Sequence, residues 1–161
     1  VRTLAGGLGV EIIRGGPEES VILGDRGQLL TALRNLLTNA ISYSAANTSV
    51  SVTAREIEGI VEISVKDAGI GIPSHDLDRI FERFYRIDPA RSRGTGGTGL
   101  GLAIVKHVCQ NHGGEVIVWS EVGTGSTFTL RLPSYDPMLE GNRASSEFTV
   151  EPLTIVKGAK S

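Results

Sequence analysis

One cysteine, one methionine and one tryptophan in 161 residues exclude several architectures at once. Cys109 alone supports neither an internal disulfide nor a cysteine-based zinc cluster, which suits a reducing compartment. No apolar run approaches the roughly 20 residues of a membrane-spanning helix, and no charged-then-apolar leader opens the chain. The piece is therefore expected to be soluble. A dominant charge is lacking too: 16 Lys+Arg against 18 Asp+Glu leave a formal charge of −2. No global field would draw such a chain onto nucleic acid or anionic lipid, so any binding must come from a local site.

What is present is 40% hydrophobic residues, enough for one compact domain with a core, and 21 glycines in a sequence that is otherwise neither repetitive nor low in complexity. Val10–Ile13 and Val21–Leu23 read as two short strands around Gly15-Gly16-Pro17. Arg26 to Ser42 reads as a helix, because Leu29, Leu30, Leu33, Leu36, Leu37, Ala40 and Ile41 fall in one sector at about 100° per residue. Ser49–Ala54 and Ile60–Val65 show the β-branched alternation of strands, joined near Glu58-Gly59 as a hairpin. Asp67 to Gly101 is a long glycine-bearing connection with one short helical piece around Asp76–Phe84, the mark of a functional lid or a linker. A second helix is expected from Leu100 to about Asn111, ended by Gly113-Gly114. Strands Glu115–Ser120 and Thr127–Leu132 flank Gly123-Thr124-Gly125, and Pro133 closes the pattern. The domain is thus expected to span 1–133, with 134–161 a mostly mobile tail.

Four pieces carry chemistry. On the first helix Asn35, Asn39 and Ser42 share a stripe away from the leucines. Two amide oxygens one turn apart suit a hard cation such as Mg2+, although solvent-facing asparagines would show the same spacing. Next comes Asp67-Ala68-Gly69-Ile70-Gly71-Ile72-Pro73 after an apolar strand. A carboxylate there can accept from an exocyclic amine such as that of adenine, although the segment also reads as a plain strand-to-loop turn. Third is Gly94-Thr95-Gly96-Gly97-Thr98-Gly99-Leu100-Gly101-Leu102, running straight into a helix whose backbone N–H groups can cradle phosphate. It is neither a P-loop, since no Lys-Ser/Thr follows, nor a Rossmann turn, since a long loop precedes it. Between these lies Phe81-Glu82-Arg83-Phe84-Tyr85-Arg86, with Arg91 and Arg93 beyond. An aromatic pair there can anchor a lid while arginines reach phosphate; an amphipathic helix with a solvated basic face reads the same way. Phenylalanines at core-like spacing argue against a nucleic-acid patch.

In this order the pieces resemble the asparagine, first glycine, phenylalanine and second glycine boxes of the catalytic and ATP-binding domain of sensor histidine kinases. Gly123-Thr124-Gly125-Ser126-Thr127-Phe128 resembles the final glycine box, and the resemblance runs from about Leu8 to Pro133. Trp119-Ser120, Thr127–Leu130 and Ala90–Arg93 look most like a phosphate-responsive actinobacterial branch. The resemblance implies a two-layer α/β sandwich, a mixed sheet of about five strands on three helices, with ATP held under a long lid. By the same resemblance Asn39 would be the principal Mg2+ ligand with Asn35 beside it, and Asp67 the adenine acceptor. Tyr43 would flank the base, Gly69, Gly71 and Ile72 would back it, and Thr127 would sit nearby. Arg86 would reach the terminal phosphates, and Gly97, Thr98, Gly99, Leu100 and Gly101 would form the phosphate-side loop. The implied catalytic set is Asn35, Asn39 and Arg86, and the cofactors are ATP and Mg2+. The implied partners are the dimerisation and phosphoacceptor domain of the same kinase and a downstream response regulator, with no nucleic acid and no direct membrane contact. The implied location is cytoplasmic, within a parent protein anchored in the bacterial membrane.

One departure stands out. Many relatives carry a phosphate-contacting lysine three residues after the second asparagine, where this chain has Ser42. A second comparison divides kinases from gyrase-type and mismatch-repair ATPases of the same superfamily, which carry a water-activating glutamate four residues before the magnesium asparagine. That position is Asn35, an amide without useful basicity, so the sequence favours phosphoryl donation over hydrolysis. The alternatives are a degenerate nucleotide-binding scaffold and, further off, an ATPase. His75-Asp76-Leu77-Asp78-Arg79 imitates a phosphoacceptor motif but falls inside the lid region. His107, Cys109 and His112 offer no complete metal set.

Overall fold

The computed structural model describes residues 11–15, 19–87, 97–135 and 152–156. Its frame is a five-stranded mixed sheet built from β1 (Glu11–Gly15), β3 (Ser49–Ile57), β4 (Ile60–Asp67), β5 (Glu115–Glu121) and β6 (Gly125–Pro133), in the order β1-β3-β4-β6-β5. Only β1 and β3 run parallel; the other neighbours are antiparallel. The β3–β4 hairpin turns on Glu58 and Gly59, with φ of 51° and 77°. Positive φ at both central residues is the two-residue turn whose twist matches that of paired strands.

Alternation divides the sheet into two faces. Val61, Ile63 and Val65 of β4 stand opposite Leu132, Leu130 and Phe128 of β6, and all six are buried. Glu62, Ser64 and Lys66 take the other face, where Ser64 and Thr129 share a hydroxyl contact at 2.8 Å and Glu62 accepts from Arg55 and Arg131.

Among the described residues two α-helices cover the apolar face. In α1 (Arg26–Tyr43), Asp25 is the N-cap, its Oδ1 accepting from the Gln28 N–H at 2.9 Å. Leu29, Ala32, Leu36, Ala40 and Ile41 form its buried stripe. In α2 (Gly101–Asn111), Val105, Val108 and Cys109 face inward. Truncating a sealed side chain such as Leu36 to alanine costs about 2–5 kcal/mol. The helices are also tied at one end, because the Asp25 N–H donates to Nε2 of His112 at 2.9 Å while Nδ1 of His112 donates to the Val108 carbonyl at 2.7 Å. Gly24 leaves room for that ring, since a Cβ there would overlap it.

Where the resemblance implies a third helix, the described residues form a 3-10 turn, Ser74–Asp76, followed by linked turns. Arg79 N–H donates to Asp76 O at 2.9 Å and Glu82 N–H to Arg79 O at 2.9 Å. Such i to i+3 bonds wind more tightly than an α-helix. Ile80, Leu77 and Phe81 still reach the core, and Phe81 meets Phe128 edge to face at 6.4 Å.

A second, two-stranded sheet pairs β2 (Glu19–Leu23) with β7 (Pro152–Val156), antiparallel. A strand was not expected within 134–161, where periodicity is absent. Its pairing depends on a partner about 130 residues away, which local pattern cannot reveal. The remainder of that stretch from 136 on lies outside the described residues.

Candidate functional site

The sheet and helices bring most of the candidate residues to one end of the α1–α2 layer. Asp67, the last residue of β4, is only 6% exposed. Its Oδ1 accepts from the Gly69 N–H at 2.9 Å and the Ser126 N–H at 3.2 Å. Oδ2 has no protein donor among the described residues. Burial pushes the carboxyl above its ordinary value, and the two backbone bonds oppose the shift. The result is a rigidly held carboxylate with one oxygen free to accept from a ligand.

The loop after Asp67 lies between α1 and the β5–β6 turn. Gly69 bridges to Ser44 and packs on the Tyr43 carbonyl so closely that a Cβ would overlap it. Tyr43 itself is 44% exposed beside this loop. Gly71 has φ of 71°, and a side chain there would collide with the Glu121 carbonyl. The Gly123 N–H donates to Ile70 O at 2.8 Å, and the Ile72 N–H to Ser120 Oγ at 2.8 Å.

On the opposite side, Gly101 opens α2 directly against Asn35, whose Oδ1 would lie 3.4 Å from a Cβ on that glycine. Asn35 and Asn39 are partly buried on α1, and neither amide is hydrogen-bonded among the described residues. Helix α2 has no side-chain cap and no acidic residue in its first turn, whereas α1 is closed by Asp25. Among the described residues the one side-chain hydrogen bond near its start is the weak Leu100 N–H to Thr98 Oγ1 approach at 3.4 Å. Its first N–H groups are therefore available to an anion.

The connection between these halves has a pinned neck. The Phe84 N–H donates to Gly99 O at 2.9 Å, with φ of 65° at Phe84 and 72° at Gly99. Beside it Tyr85 donates to the buried Asp76 carboxylate, and the Arg79 guanidinium lies 4.3 Å from the Tyr85 ring centroid. Arg86 Nη2 is sealed from solvent with no partner among the described residues, and sits 4.0 Å from where a Gly97 Cβ would be. A buried guanidinium nitrogen without an acceptor is costly, and an anionic ligand would relieve it. Arg91, Arg93 and Gly94–Gly96 lie outside the described residues.

Thr127 is not brought to this site. It pairs with Lys66 and Trp119 on the outer sheet face, two residues from the Ser64–Thr129 contact. The residue turned toward Asp67 is its neighbour Ser126, because one step along a strand reverses the face. Ser120, opposite Ser126 on the inward face, falls within the sequence motifs but, like Ser126, carries no site role in the sequence reading. Its signal was a hydroxyl continuing the inward phase of Val116 and Val118. Ser42 is partly buried on α1. His75 is largely exposed on the 3-10 turn, with Nε2 3.3 Å from the Asp76 carboxylate. Among the described residues no group of His, Cys, Asp or Glu side chains could hold a metal ion, so a cation here would depend on amide, phosphate and water oxygens.

The sequence profile of the histidine kinase-, DNA gyrase B- and HSP90-like ATPase family matches residues 24–136. The chain belongs to this family. The match covers α1, the loop after Asp67, α2 and the β5–β6 hairpin. The chain is 56% identical over 129 residues to the sensor-like histidine kinase SenX3 of Mycolicibacterium smegmatis, covering 80% of this chain and 34% of that protein. It is 44% identical over 127 residues to the sensor histidine kinase WalK of Bacillus subtilis, covering 77% of this chain and 21% of that one. Among solved structures, the mycobacterial sensor histidine kinase MprB superposes with a TM-score of 0.71 at 31% identity, covering 83% of this chain and 88% of that one. The chain thus spans about a third of the length of its SenX3 relative. No helix among the described residues is long and apolar enough to cross a membrane.

Proposed function

We propose that this chain is the ATP-binding catalytic domain of a sensor histidine kinase, donating the γ-phosphoryl group of ATP to a histidine on a dimerisation domain outside this sequence. The observation that carries the reading is Asp67: a buried carboxylate fixed by two backbone donors, with one oxygen left open beside a glycine-walled slot. That open oxygen accepts the exocyclic amine of adenine. Gly69, Gly71 and Ile72 back the base from one side and Tyr43 flanks it.

At the other end of the cleft the phosphates meet the uncapped start of α2, with Gly97, Thr98, Gly99, Leu100 and Gly101 leading into it. The sealed nitrogen of Arg86 supplies a positive partner for the terminal phosphates. Asn39, with Asn35 beside it, would hold Mg2+, and both amides are free of protein partners among the described residues, which fits a site completed by phosphate oxygens. When bound, that ion would supply neutralisation of phosphate charge. Asn35 also argues for transfer over hydrolysis, since an amide cannot take a proton from attacking water. The acceptor imidazole nitrogen would form the new bond to the γ-phosphorus as ADP departs.

The partners on this reading are the dimerisation and phosphoacceptor domain and a downstream response regulator. The parent protein would be membrane-anchored with this domain in the cytoplasm. Equilibrium binding of ATP and ADP with and without Mg2+, followed by transfer to a separately supplied dimerisation domain, tests it. Binding without transfer would leave only a nucleotide-binding scaffold, and rapid release of free phosphate would point to an ATPase.

A further inference from the structure

Most of the base-binding side of the cleft is loop, and a loop holds a ligand well only if something fixes its backbone. Residues 68–73 have neither helix nor strand among them apart from the single Ser44–Gly69 bridge. Gly69 is held by Tyr43, Ser44 and Asp67 Oδ1, and Ile70–Ile72 by the β5–β6 hairpin. Three contacts do the latter: Gly71 against the Glu121 carbonyl, the Gly123 N–H to Ile70 O, and the Ile72 N–H to Ser120 Oγ. Only the last uses a side chain.

Ser120 is also joined to the hairpin that holds Asp67. Its hydroxyl lies 3.0 Å from Gly125 O and 2.9 Å from Ser126 Oγ, and the Ser126 N–H donates to Asp67 Oδ1. Gly125 itself, with φ of 126°, packs on the Asp67 carbonyl. One hydroxyl has one proton and two lone pairs, so Ser120 can accept from Ile72, donate to Gly125, and still receive the Ser126 proton. A full set of partners gives it a fixed orientation.

We infer that Ser120 is a positioning residue for nucleotide recognition, locking the Gly69–Ile72 wall and the Asp67 carboxylate into one rigid unit. It acts through the Ile72 amide and Ser126, and it needs no contact with the ligand. Alanine leaves the Ile72 N–H without its acceptor and frees the wall from the hairpin. The phosphate end of the cleft, built on α1 and α2, does not depend on Ser120. Loss of the hydroxyl should therefore weaken recognition of the base and spare recognition of the phosphates.

The inference rests on the ATP-binding reading above, and the test separates the two. ATP and inorganic tripolyphosphate, each with Mg2+, are titrated into the wild-type chain, Ser120→Ala and Ser120→Thr, alongside amide exchange at Ile72. Expected for Ser120→Ala are about tenfold weaker ATP binding, unchanged tripolyphosphate binding and faster exchange of the Ile72 amide. Ser120→Thr, which keeps the hydroxyl, should recover most of the ATP affinity. Equal weakening of both ligands would mean general destabilisation and overturn the inference, as would unchanged ATP affinity in Ser120→Ala. A wild-type chain that binds no ATP would overturn the nucleotide reading itself, and the inference with it.

Discussion

Asp67→Asn separates stability from recognition at a single atom. Asparagine keeps Oδ1, so the Gly69 and Ser126 N–H bonds at 2.9 and 3.2 Å can persist, but it places an NH2 group where Oδ2 faced the cleft. An adenine amine then meets a donor instead of a charged acceptor. Hydrogen bonds to charged groups contribute about 1.5–3 kcal/mol, so losing this one should weaken ATP binding roughly 10- to 150-fold. Guanine presents a carbonyl at the corresponding position, so the preference for ATP over GTP should shrink. Stability should move the other way. The folded-state pKa of Asp67 is raised, chiefly by burial, so its contribution is most favourable below the ordinary carboxylate pKa and is lost as pH rises through the folded value. At pH 7.5 the wild type carries the cost of that buried charge, and the variant does not. The ligand-free variant should melt no lower than wild type at pH 7.5, with a flatter dependence of Tm on pH. Wild-type ADP affinity should fall on acidification from a pH above the ordinary carboxylate range, with that component absent in the variant. Calorimetric titration and thermal melts read all of this. ATP affinity within threefold of wild type, or a Tm lowered by several degrees, would refute the assigned role.

Asn39→Ala should reduce ATP affinity in Mg2+ by at least about tenfold while leaving affinity in EDTA nearly unchanged, a contrast that titrations in the two buffers would show. Gly71→Ala combines a positive φ with a collision against the Glu121 backbone; it should lower the Tm by several degrees and weaken ATP binding, and a stable variant with full affinity would show the wall to be dispensable. Burial pushes the Cys109 thiol up to about 11, so in the folded protein it should resist iodoacetamide at pH 7.5 for hours and react readily in denaturant, as mass spectrometry would record.

The parts of the fold that sequence made legible are those governed by local rules. Asp25 before a leucine-rich stripe marks the start of α1, and Glu58-Gly59 between two β-branched runs marks a hairpin. The register of β6 was legible in principle as well. Phe128, Leu130 and Leu132 set an inward phase that includes Ser126 and puts Thr127 outside, but the hydroxyl residues on both sides of that phase hid it. The turns after Ser74 kept helix-like apolar spacing through Leu77, Ile80 and Phe81 while bonding mostly at i to i+3, with a single i to i+4 bond from Ile80 to Asp76 among the described residues, so periodicity suggested a helix. The pairing of β2 with β7 is set by tertiary contact alone. At the candidate site, Asp67, Gly71 and the asparagine stripe stood out because their residue types are unusual at those positions. Ser120 did not, since continuing the inward phase of Val116 and Val118 gives its face but not its partner, the Ile72 amide.

The central claim is phosphoryl donation, and transfer from ATP labelled at the γ-phosphate to a separately expressed dimerisation domain from a SenX3-type kinase tests it most directly. The account predicts acid-labile, base-stable label on a histidine of that domain, appearing only with this chain and Mg2+ present and abolished by Asn39→Ala. Nucleotide binding with no label on the added domain, or label lost to solvent as free phosphate at a comparable rate, would contradict it.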